Sequence, residues 1–209
     1  MFILKASYPQ HQLFRSVSQV MTDCIKTGAE HILTGFDHLL FLLTIIIAGA
    51  GWRYWLGILT CFTIAHSITL TLTLVGWLNA PSRLIEPLIA ASIIVMAVLN
   101  LYRRDVGFRS RMVIVFACGL LHGMGFASSI AEMGLHGGYF FASLIGFNLG
   151  IEFGQAIFLS AFLALGLVFN RMQARLFLPR SNMAKWTLPL TSLFAMVAGI
   201  FMLQAQLIK

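Results

Sequence analysis

Charge is scarce in this chain. Asp, Glu, Lys and Arg make up only 10% of its 209 residues, where an ordinary soluble domain carries about a quarter. Cysteine is rarer still. Cys24, Cys61 and Cys118 form no CxxC pair, and an odd count with two members inside apolar segments excludes a disulfide framework. The N-terminal "MFILKASYPQHQLFRSVSQ" has too short an apolar stretch for a cleavable signal, so the first membrane segment is expected to do the targeting itself. No internal repeat and no low-complexity tract is visible, and the ten methionines show no MxxM spacing, which reads as core filler. What is abundant is apolar surface: 59% of the residues are hydrophobic and the mean hydropathy is +0.88. The chain reads as an integral membrane protein without a separate soluble domain.

A span needs roughly 20 mostly apolar residues. Six segments qualify, about 29–50, 52–78, 84–102, 111–131, 138–168 and 186–207, with Pro81 and Pro179 marking two of the turns. The expected fold class is all-α, a six-span transmembrane helical bundle over residues 29–209, preceded by a short, partly interfacial lead-in over 1–28. The net charge of +7 lies in scattered short loops, which speaks against nucleic acid and for a topology signal. Nine of the basic residues (Arg53, Arg103, Arg104, Arg109, Arg111, Arg171, Arg175, Arg180 and Lys185) fall on one face and five (Lys5, Arg15, Lys26, Arg83 and Lys209) on the other. The first face is therefore expected to be cytoplasmic. Both termini would lie outside, with the protein in a cell inner membrane.

Against this background the polar residues inside the spans stand out. His31, Asp37 and His38 lie in the outer half of the first span, His66 near the middle of the second and His122 near the middle of the fourth. Asn148, Glu152 and Gln155 follow one another at i, i+4 and i+7 in the fifth, opposite a Gly146, Gly150, Gly154 series. Small residues let helices approach closely, so this helix is expected to be buried in the bundle. On a continuous helix His31 and His38 share a face about two turns apart. Asp37 then serves as a partner that orients a histidine. A single membrane histidine is often a hydrogen-bonded packing residue, but ionisable groups at one depth on several helices point to a shared site. Thr60, Thr63, Ser67 and Thr71 line a path or bond back to their own helix. Glu86 caps a helix or adds a carboxylate. Cys118 reads as a buried filler, and His11 and His136 as surface or loop residues.

Imidazole nitrogens with carboxylate oxygens suit borderline divalent metals such as nickel, zinc, cobalt, copper or iron; calcium and magnesium prefer oxygen alone. Within this framework "HILTGFDHLLFLL", "FTIAHSITL", "GLLHGMGFA" and "FNLGIEFGQ" together resemble the HupE/UreJ membrane proteins. Members of that family are nickel, or nickel and cobalt, permeases serving hydrogenase and urease. The resemblance implies metal positions at His31, Asp37, His38 and His122, with His66 and Glu152 following from the matching "AHS" and "GIEFGQ" segments. Two positions depart from the family pattern: Ile32 stands where proline is common, and "HGMGFAS" lacks a second histidine.

The resulting expectation is a permease for a divalent transition metal, nickel first, with cobalt or zinc as other candidates. The ion is its substrate, and no catalytic residue or organic cofactor is implied. Its metal positions are His31, Asp37, His38, His66, His122 and Glu152, with Asn148, Gln155 and Ser67 as a supporting polar shell. The partners are the metal ion and the lipid bilayer, with a homo-oligomer or an extracytoplasmic metal-delivery protein left open. Two alternatives stand beside it. One is an intramembrane zinc-dependent hydrolase acting on a lipid or membrane-embedded substrate, with Glu152 or Asp37 as base and Ser67 near an oxyanion. The other is an assembly subunit that binds metal without transporting it.

Overall fold

The computed structural model describes residues 16–102, 106–131, 139–175 and 180–208, the side chains of 126–131, 170, 173–175 and 180–186 excepted. His11, His136, Arg103, Arg104 and Pro179 fall outside the described residues. Seven helices follow one another: α1 (Val17–Thr34), α2 (Phe36–Ile47), α3 (Trp52–Leu74), α4 (Ser82–Tyr102), α5 (Phe108–Ala131), α6 (Phe140–Arg175) and α7 (Arg180–Leu207). The all-helical class is as expected.

The first span is not one helix. α1 starts at a capping box in which Ser16 and Gln19 each bond the other's backbone N–H. It stops at Gly35, and α2 leaves at 73° to it. Residues 17–28 are therefore helical and lie against α6. α2 has twelve residues, about 18 Å of helix, too short to cross a hydrocarbon core of about 30 Å alone. Beyond its first turn it is apolar on every side except at Thr44, as suits a helix enclosed by others, and it buries His38, Leu40, Phe41, Leu42, Thr44, Ile45 and Ile46. Its last carbonyls, which no helical N–H can reach, are taken by Tyr54 Oη on Ile45 O (3.0 Å) and Trp55 Nε1 on Ile46 O (3.2 Å).

By length and apolarity, α3, α4, α6 (to Phe169) and α7 can cross a membrane, and the α1–α2 pair makes a fifth, broken span. Among the described residues the count of six is therefore not reproduced.

Around α2 the helices pair α1 with α6, α3 with α5 and α4 with α7. Glycine sets two of these pairings. A Cβ on Gly146 would meet Met21 O at 2.7 Å, and Gly150 lies against Ile25 O and Ala29 N, so the α6 glycines are where α1 lies flush. On α5, a Cβ at Gly119 would come within 2.8 Å of Phe62 O, bringing α5 close to α3. The expected burial of α6 needs correction. Only 17% of its apolar window is buried, and Phe141, Ile145, Leu149, Phe153 and Ile157 are exposed. Glycines, polar stripe and lipid-facing residues each take a separate side of α6.

At the arginine-rich end a buried network ties three helices together. Arg111 Nη1 donates to Asn100 Oδ1 (2.7 Å), Asn100 Nδ2 donates to Thr44 O (2.8 Å), and the Thr44 hydroxyl donates to Phe41 O (2.6 Å).

Candidate metal centre

The break at Gly35 builds the site. Seven residues of continuous helix would separate His31 and His38 by about 10.5 Å along the axis. Across the bend their ring centroids are 4.4 Å apart. Gly35 accepts this close approach because it has no side chain: a Cβ would stand 2.8 Å from His31 O, 2.9 Å from His38 Nδ1 and 3.2 Å from Asp37 Oδ1. Its φ of −72° is open to any residue, so the requirement is space, not backbone conformation.

His66 enters from α3, its ring 5.8 Å from those of both His31 and His38. One ligand atom from each of these three imidazoles lies within 4.8 Å of the others, and they are the group among the described residues able to hold a metal ion. His122 of α5 packs its ring 5.0 Å from that of His38. His66 and His122 are fully buried and His38 is 3% exposed.

Hydrogen bonding fixes two tautomers. His122 Nδ1 faces Cys118 O at 2.8 Å; a carbonyl only accepts, so Nδ1 carries the proton and Nε2 keeps its lone pair. His38 Nδ1 faces Asp37 Oδ1 at 3.1 Å, and the same oxygen accepts the His38 backbone N–H at 2.9 Å. An ionised Asp37 thus holds the Nδ1 proton and leaves His38 Nε2 as a donor atom, the carboxylate–histidine arrangement that orients metal ligands. Asp37 also lies in the first turn of α2, where a negative charge is favoured. His38 Nε2, His122 Nε2 and both ring nitrogens of His66 are buried and have no hydrogen-bond partner among the described residues. A buried polar atom left unpaired costs about 1–3 kcal/mol, so a cluster of them points to a ligand absent from the chain itself.

Phe41 and Phe62 close the cluster on the side toward the arginine-rich end of the bundle. They lie one turn after His38 on α2 and one turn before His66 on α3, with rings 5.3 Å apart, and at 5.0 and 5.3 Å from His122. The remaining polar residues lie to one side. Ser67 bonds Asn148, Thr63 bonds Gln155, and Glu152 has Thr63 and Thr60 of α3 as polar neighbours. Glu152 is thus not among the atoms gathered with the three histidines. Cys118 contributes its carbonyl. Three contributors went unread in the sequence. A glycine between "HILT" and "FDH" signals an interrupted helix and marks Gly35, whereas Phe41 and Phe62 are indistinguishable from other apolar residues of their helices.

The family model described as HupE / UreJ protein matches residues 8–205 of the chain. No curated protein and no solved structure matches it.

Proposed function

Because the chain belongs to the HupE/UreJ family, we propose that it is a membrane permease for a divalent transition metal ion, nickel first, with cobalt and zinc as further candidates. The ion is held by His31, His38 and His66, with His122 as a fourth imidazole and Asp37 as the orienting carboxylate and partial counter-charge. One observation carries the reading: imidazoles from separate helices converge within 4.8 Å, in a bundle whose helices are long and apolar enough for a membrane. Neutral imidazole is a ligand for borderline divalent ions and a poor one for magnesium or calcium. The break between α1 and α2 also fits transport, since interrupted helices line ion sites near the middle of many transporters. The protein would sit in an inner membrane with both termini outside, because the basic residues concentrate on the opposite face.

Uptake of radioactive nickel into proteoliposomes is the test. Time-dependent accumulation that is lost in His38→Ala supports the permease. Absence of uptake by the wild-type protein, with nickel, cobalt and zinc each tried, refutes it. The Phe41–Phe62 floor favours a second reading, an intramembrane zinc hydrolase, because it closes the cluster inward as a reaction chamber requires. That enzyme would hold a non-exchanging zinc with one open position. Against it, the Ser67 hydroxyl is engaged by Thr63 O at 2.6 Å and by Asn148.

A further inference from the structure

The polar side of α6 contains a hydrogen-bond conflict. The Thr63 hydroxyl has one proton and two oxygens within 3.2 Å, Leu59 O and Gln155 Oε1. With Oε1 turned to Thr63, the Gln155 Nε2 group is buried without a partner among the described residues, in a side chain only 1% exposed. Turning the amide over resolves this. Thr63 gives its proton to Leu59 O, which can only accept, and receives an N–H from Gln155. The Gln155 carbonyl oxygen then occupies the buried position that has no partner. Ser67 poses the same problem. Its single proton is claimed by Thr63 O at 2.6 Å and by Asn148 Oδ1. The carbonyl again has the prior claim, so Asn148 donates its NH2 to Ser67 and its own oxygen faces away from the hydroxyl. Between these two amides on the same side of α6 stands Glu152, half-buried on a membrane helix, with Thr60 and Thr63 as its polar neighbours on α3. Such a carboxylate is costly in a bilayer unless it serves a purpose.

We propose that Glu152, with the amide oxygen of Gln155 and the hydroxyls of Thr60 and Thr63, forms a second cation station between α3 and α6, separate from the histidine cluster. It takes a partly hydrated divalent cation through oxygen atoms only. This rests on the permease reading and gives it an inward route. Phe41 and Phe62 close the direct way inward from the imidazoles, whereas Thr63 and Ser67 stand on the flank of α3 next to His66. An ion leaving His66 therefore meets oxygen ligands one turn inward. The two stations differ in chemistry. Imidazoles select a borderline metal, and a single carboxylate with neutral oxygens binds weakly and selects little. Conduction needs that weakness, because an ion must be able to leave.

The test measures two quantities on Glu152→Gln: equilibrium binding of radioactive nickel chloride to the purified protein, and nickel uptake into proteoliposomes. Uptake is expected to fall by about tenfold or more, while tight binding stays within about twofold of wild type, as for an independent site. Uptake near the wild-type level overturns the proposal. Loss of tight nickel binding also overturns it, by placing Glu152 in the histidine site. If Glu152→Gln does not fold, Thr63→Val, which keeps the side-chain shape, is read on the same two assays with the same outcomes expected. A wild-type protein that binds nickel and does not transport it defeats the permease reading first, and this station with it.

Discussion

Gly35→Ala is the most informative single change, because it adds one methyl group at the point where the site is built. That carbon would lie 2.8 Å from His31 O, 2.9 Å from His38 Nδ1 and 3.2 Å from Asp37 Oδ1. The first contact is with backbone that cannot easily retreat, since His31 O already accepts the Gly35 N–H at 3.0 Å. The His38 ring is the softer neighbour. Moving it breaks its hydrogen bond to Asp37 and turns Nε2 away from His31 and His66. Overpacking of this kind costs about 1–3 kcal/mol, and loss of a carboxylate that orients a metal-bound histidine weakens binding by about 10–100-fold. Gly51→Ala is the control. Gly51 has φ +94° with nothing near its Cβ position, so alanine there strains the backbone by about 1–3 kcal/mol without touching the site. Equilibrium nickel binding and thermal unfolding of both variants separate the effects. Nickel affinity of Gly35→Ala within about twofold of the Gly51→Ala value, well below the drop expected from a lost orienting carboxylate, would refute the steric reasoning.

Other outcomes follow from the same geometry. His66→Leu removes two unpartnered buried nitrogens, so the metal-free protein should be as stable as wild type or up to about 1–3 kcal/mol more stable, while nickel binding disappears; a clear loss of thermal stability in metal-free samples would show His66 to be a packing residue. Asp37→Asn keeps the shape but replaces an obligate acceptor of the His38 proton, and nickel affinity by equilibrium dialysis should fall by about 10–100-fold. Gly150→Leu presses side-chain atoms onto Ile25 O and Ala29 N of α1, and should lower stability by at least about 1–3 kcal/mol, read as the midpoint of thermal unfolding in detergent. Arg111→Leu leaves the buried Asn100 Oδ1 without its donor, a cost of about 1–3 kcal/mol, read as the midpoint of thermal unfolding in detergent.

Composition and hydropathy determined that this chain is a helical membrane protein, because a bilayer admits only segments that satisfy their own backbone and long apolar runs are visible residue by residue. The rarity of ionisable groups in those runs also singled out His31, His38, His66 and His122, since any such group in lipid is an exception. The tertiary structure decided how these residues meet. A helical repeat read along one segment places His31 and His38 two turns apart, and only the bend at Gly35 brings their rings to 4.4 Å. Likewise the i, i+4, i+7 stripe of Asn148, Glu152 and Gln155 was legible, but not that it faces Thr60, Thr63 and Ser67 instead of the imidazoles. Periodicity reports which residues share a side of one helix. Which helix that side meets depends on packing between distant segments, set here by the close approach of Gly150 to α1 and Gly119 to α3.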